Sequence, residues 1–241
     1  DMAVLEQWLS EKRGRRVNIK VPQKGMKEKL VELAYKNALL VLSQDKERIK
    51  REEGRTIVAV KEIEGLLGLH GLNRMEAYDI SHTGSDDMVA SMVVFSDGKP
   101  LKRDYRRFQI KTLTAPDDYA AMREVLMRRF RRYLDGDEKF KERPDLLLID
   151  GGEMHARTAR EVLCRLGLTD IPILGMVKDD RHRTRALMTP DGSELGIQQS
   201  PSLFALIGRI QEEVHRFAIT YHHEKHTKSA YRSKLDGIPG V

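Results

Sequence analysis

Two aspartates stand where a strand-forming sequence would be expected to place apolar residues. Asp150 closes the run Pro144-Asp145-Leu146-Leu147-Leu148-Ile149-Asp150-Gly151-Gly152. Its apolar centre has no helical period and predicts a central strand buried on both faces. Asp79 lies in Tyr78-Asp79-Ile80-Ser81, inside a predicted strand over 75–83. Alternation groups Met75, Ala77 and Asp79 on one face and Tyr78 and Ile80 on the other. A lone carboxylate at the rim of an apolar sheet is costly to desolvate. Each aspartate therefore reads either as an isolated polar residue of its strand end, Asp150 capping the turn and next helix, or as a metal ligand. If the two strands are parallel neighbours, the carboxylates converge, and they repel unless a proton or a cation lies between them. Oxygen ligands of this kind suit Mg²⁺ or Mn²⁺. His215, in Glu212-Glu213-Val214-His215-Arg216-Phe217, is the third candidate. It falls about 120° from the centre of its helix's apolar stripe. There it could ligate a second metal or shuttle protons, or simply make an ordinary hydrogen bond on the helix flank.

Cations are the second theme. Arg106-Arg107 ends the third predicted strand, and Lys178, Arg181, His182, Arg183 and Arg185 fill the loop after the fifth. That loop lies beyond the carboxyl end of a strand, on the side of Asp150, where open α/β sheets place ligands. Arginines near a carboxylate pair suit a phosphate backbone. Arg128, Arg129, Arg131 and Arg132 read mostly as the solvated face of a helix.

These residues must be positioned by a substantial domain. The chain has 241 residues, 40% hydrophobic and 33% charged, with a formal net charge of +6. The basic excess fits a polyanionic partner. One cysteine, Cys164, rules out a disulfide within the chain and a multi-cysteine zinc site, and fits a reducing, cytoplasmic setting. No apolar run approaches a membrane span, so no membrane association is expected. The first residue is not methionine and the last are Ile238-Pro239-Gly240-Val241, so a piece of a longer protein is expected.

Residues 1–70 read as helical: a short helix around Val4–Leu9, an alternating stretch Val17–Val21 that could be a strand, a helix from Met26 to about Lys50, a break at Glu53-Gly54-Arg55, and a helix from Ile57 to Leu69. From Arg74 the predicted order is strand, strand, strand, helix, strand, helix, strand. The third strand runs from Leu101 to Thr112, and a hairpin around Pro190-Asp191-Gly192 and a long helix from about Ser202 follow. The architecture is a mixed α/β sheet with helices on its faces. No Gly-rich phosphate loop or Walker sequence is present.

Six motifs occur in an order that resembles the C-terminal half of UvrC, the C subunit of the bacterial excision nuclease. They are Tyr78-Asp79-Ile80-Ser81-His82-Thr83, Val89-Ala90-Ser91, Tyr105-Arg106-Arg107-Phe108, Asp117-Asp118-Tyr119, Leu148-Ile149-Asp150-Gly151-Gly152 and His215-Arg216-Phe217-Ala218-Ile219. The resemblance implies a ribonuclease-H-like fold, with three antiparallel and then two parallel strands flanked by helices. It implies an endonuclease that incises damaged double-stranded DNA 5′ of the lesion in nucleotide excision repair. Asp79, Asp150 and His215 become its triad and metal ligands, for Mg²⁺ or Mn²⁺, with Asp118 as a further acidic position that a helix start explains equally. UvrB is the implied partner, through a segment outside this stretch. The expected division is a helical extension over 1–73, the nuclease domain over 74–234 and the start of a helix-hairpin-helix module over 235–241. Glu153-Met154-His155 departs from the small, glycine-containing sequence expected after Gly151-Gly152. Alternative readings are a non-catalytic nucleic-acid or partner-binding module, a ribonuclease or a junction resolvase, because a fold does not fix a function.

Overall fold

The structure is a computed structural model that describes residues 2–83, 87–113, 116–179 and 184–232, with side chains for all of these but 82, 83, 87 and 221–232. The turn around 84–86, the cations Arg181, His182 and Arg183, and residues 235–241 lie outside the described residues. The chain falls into two compact units, residues 1–53 and 54–241.

The first unit holds helix α1 (Met2–Arg13) and the greater part of helix α2 (Met26–Leu67). No described residue of 2–53 is buried. Val17–Val21 is not the strand its alternation suggested. Among the described residues it pairs with no strand, and side chains of α1 take two of its amides: Ser10 Oγ accepts from Val17 N at 2.8 Å and Glu6 Oε1 from Ile19 N at 2.6 Å. The expected break at Gly54 is also absent, and α2 runs through it for 42 residues. One interior glycine costs a helix only about 1 kcal/mol against alanine, and strong helix formers flank it.

In the second unit an eight-stranded mixed sheet has the order β3-β2-β1-β5-β6-β7-β8, with β4 also paired to β2. Its strands are β1 (Arg74–Thr83), β2 (Asp87–Ser96), β3 (Lys99–Pro100), β4 (Arg106–Gln109), β5 (Leu146–Asp150), β6 (Ile173–Lys178), β7 (Thr184–Met188) and β8 (Glu194–Gly196). The β2–β3 hairpin turns on Asp97 and Gly98, both at positive φ, as a two-residue turn matched to strand twist requires. The third strand expected over 101–112 is instead a 3₁₀ turn, Lys102–Asp104, followed by one short strand, β4, while β3 pairs just before that span. That turn puts Asp104 Oδ2 2.6 Å from Arg74 Nη1, a tertiary contact that alternation cannot report.

Helices α3 (Asp118–Leu134) and α4 (Glu153–Arg165) pack on each other and on one side of the sheet; α5 (Pro201–Arg232) packs on β1, β2 and β7. Strand β1 shows that the two layers lie on opposite faces. Glu76 and Tyr78 meet Arg129 of α3, whereas Asp79, one position out of phase, meets His215 of α5. Both faces of β5 are therefore covered, and Leu146, Leu147, Leu148 and Ile149 are each 0% exposed, as an unbroken apolar run requires. The last turns of α2 also belong to this unit: Thr56, Ala59 and Ile63 are buried, and Arg209 of α5 donates to Thr56 Oγ1 at 3.0 Å.

Candidate active site

Strands β1 and β5 are parallel neighbours, with Tyr78 level with Ile149. One residue further along, the register brings Asp79 level with Asp150. Side chains alternate across a strand, so both carboxylates project to the face that α5 covers. They come within hydrogen-bonding reach of each other when one carries a proton. Burial, and then the neighbouring Asp150, push the Asp79 carboxyl up to about 7, against the partial relief of the Lys178 ammonium; Asp118 adds a further upward push. Asp79 is 7% exposed. Among the described residues no N–H or O–H donates to its buried Oδ2, and Asp150 can do so only when protonated.

Helix α5 reaches both carboxylates from one face. Gln211 and His215 are four residues apart and so lie one above the other. The Gln211 amide donates to Asp150 Oδ1 at 2.9 Å, and its carbonyl accepts from the Thr184 hydroxyl of β7. His215 Nδ1 stands 3.6 Å from Asp79 Oδ2, with its side chain 59% exposed. Lys178, at the end of β6, donates to the other Asp150 oxygen, Oδ2, at 2.8 Å.

Two glycines shape the turn after Asp150. Gly151 adopts φ 143°, which disfavours any side chain. Gly175 of β6 lets that turn cross closely, since a Cβ there would lie 2.5 Å from the Gly151 carbonyl oxygen. The departure at 153–155 is accommodated in the first turn of α4, where the His155 ring packs tilted against that of Tyr119 of α3, with centroids 4.6 Å apart. Burial pushes His155 down, against the opposing charges of Asp118 and Asp150.

The structure thus brings Asp79, Asp150 and His215 together, with Asp118 beside them at the start of α3. The cations divide. Lys178 is in the site. Arg107 pairs with Ser91, which pairs with Asp79, so it stands in the same row two strands away, its guanidinium 4.2 Å from the Phe217 ring. Arg106 is not at the site. It donates to the carbonyls of Arg103 and Tyr105 and lines a polar cavity of about 550 Å³ with Arg74 and Asp145, at the starting ends of β1 and β5. Arg185 pairs with Glu194 on the solvent-facing side of the β7–β8 hairpin. Gln211 was missed by sequence reading. Its only signal was an amide next to the apolar stripe of α5, which names no partner.

The donor set fits a small divalent ion. Among the described residues, no three His, Cys, Asp or Glu side chains are grouped to close around an ion by themselves. Mg²⁺ does not need such a cage. It keeps several waters and takes one or two carboxylates together with substrate phosphate oxygens. A buried carboxylate oxygen without a donor, beside a second carboxylate, meets that requirement.

Residues 64–219 match the family model described as the UvrC RNase H endonuclease domain, and residues 1–45 a second model, the UvrC ribonuclease H-like domain. The chain is 53% identical over 247 residues to the UvrABC system protein C of Lachnospira eligens, covering all of this chain and 40% of that protein. It is 43% identical over 254 residues to that of Clostridium novyi, covering all of this chain and 41% of that one. The chain thus spans about 40% of the length of the relatives it matches. Among solved structures, human ENDOV aligns with a TM-score of 0.41 at 15% identity, covering 73% of this chain and 98% of that one.

Proposed function

Because the chain belongs to the family of UvrC RNase H endonuclease domains, we propose that it is a metal-dependent DNA endonuclease of nucleotide excision repair, making the incision 5′ of the lesion. The observation that carries the reading is the meeting of Asp79 and Asp150 on neighbouring parallel strands, with His215 3.6 Å from Asp79. Asp79 and Asp150 would hold the ion. Bound Mg²⁺ or Mn²⁺ supplies Lewis-acid charge and lowers the pKa of a coordinated water. Gln211 fixes the orientation of Asp150 through Oδ1. His215, half in solvent, can accept or return a proton at the edge of the site. Asp118 adds negative charge that favours a cation over a shared proton. The substrate is damaged duplex DNA, cut to leave a 5′-phosphate and a 3′-hydroxyl, with UvrB as partner in the bacterial cytoplasm. Lys178, and Arg107 in the same row of the sheet, supply positive charge for its backbone.

The test is Mn²⁺-dependent nicking of a damaged duplex, run with UvrB. Asp79→Ala and Asp150→Ala should each reduce nicking to background while thermal unfolding remains cooperative. Nicking retained by both variants would remove the assignment.

A further inference from the structure

Lys178 is placed by an irregularity in the sheet. The β6–β7 register shifts between Val177 and Lys178, the kind of bulge that re-aims a side chain beside a site. Here it accompanies an ammonium 2.8 Å from Asp150 Oδ2, while Gln211 occupies Asp150 Oδ1. The two contacts differ in permanence. Gln211 is 6% exposed and anchored by Thr184. The Lys178 side chain is 35% exposed and sits on a flexible stem. A divalent ion drawn to Asp79 and Asp150 therefore meets a unit positive charge on the one Asp150 oxygen that is not fixed by the protein interior.

We propose that Lys178 is the resident counterion of the carboxylate pair and competes with the divalent ion for Asp150 Oδ2. The proposal rests on Asp79 and Asp150 being the ion-holding pair. Entry of the ion and release of the ammonium are then one exchange. The lysine becomes available to a phosphodiester only when the carboxylates are loaded, which orders ion before DNA.

Calorimetric binding of Mn²⁺ to the whole chain tests this with the wild type, Lys178→Met and Lys178→Arg. Lys178→Met should bind Mn²⁺ roughly tenfold more tightly, the equivalent of one partly exposed charge-assisted hydrogen bond removed from the competition. Lys178→Arg keeps the charge and should stay close to the wild type, which separates competition from a general loosening of the site. Equal or weaker binding by Lys178→Met, with Mn²⁺ still bound by the wild type, overturns the competition and leaves the ion-holding pair standing. Absence of binding to the wild type and Lys178→Met alike overturns both.

Discussion

Asp79 titrates as one member of a pair, and the cause is local. Its buried carboxyl faces Asp150 across adjacent strands, and together these push it up to about 7. An unfolded aspartate titrates near 3.9. Between those values the folded chain binds more protons than the unfolded one, so stability falls as pH rises through that window, and the loss is complete above about 7. In EDTA, Asp79→Asn should therefore be more stable than the wild type at pH 8, by up to about 4 kcal/mol, with the difference vanishing near pH 4. Urea unfolding at the two pH values measures it, and a variant less stable at pH 8 would contradict the account. Asp79 and Asp150 were legible in the sequence because carboxylates in apolar strands carry a desolvation cost that demands a reason. His215 was legible only as a flank residue among several histidines. Gln211 was not legible, because its role depends on an acceptor 61 positions away.

Among the elements, α3 shows where charge patterning misleads. Arg129 lies in a run of arginines that reads as a solvated face, yet it is 0% exposed. Its guanidinium grips Glu76 of β1 through two hydrogen bonds, at 2.8 and 3.2 Å, and takes the Phe140 and Glu142 carbonyls at 3.0 and 2.6 Å. Tyr78 and Arg74 complete the shell around Glu76. Removing one partner strands a buried charge, so Arg129→Leu should cost about 3–5 kcal/mol, read by urea unfolding at pH 7. A loss below 1 kcal/mol would show the network to be dispensable. The elements that carry the site, β1, β5 and α5, were legible because each is a long apolar or periodic segment. The second strand, the two helices α3 and α4, β6 and the β7–β8 hairpin were read as well, and the misreadings fall where tertiary contacts override local pattern. Thr56, Ala59 and Ile63 pack the end of α2, which runs on through Gly54, and the Arg74–Asp104 pair marks the turn that replaces the start of the expected third strand.

On the scale of the whole molecule, the site belongs entirely to the second compact unit, residues 54–241. The sheet order places the two carboxylates on its inner strands, and one helix reaches both. That the first and fourth strands in sequence would be parallel neighbours was a condition of the sequence reading, and the β1–β5 pairing meets it. No described helix is long and apolar enough to cross a membrane. The central claim is that Asp79 and Asp150 together hold a divalent ion, and the direct measurement is anomalous diffraction at the manganese edge from crystals grown with Mn²⁺. The account predicts a peak at the two carboxylates, Asp79 and Asp150, as a small, hard divalent ion held by oxygen ligands would give. A map with no peak there, or with manganese bound only elsewhere on the chain, would contradict it.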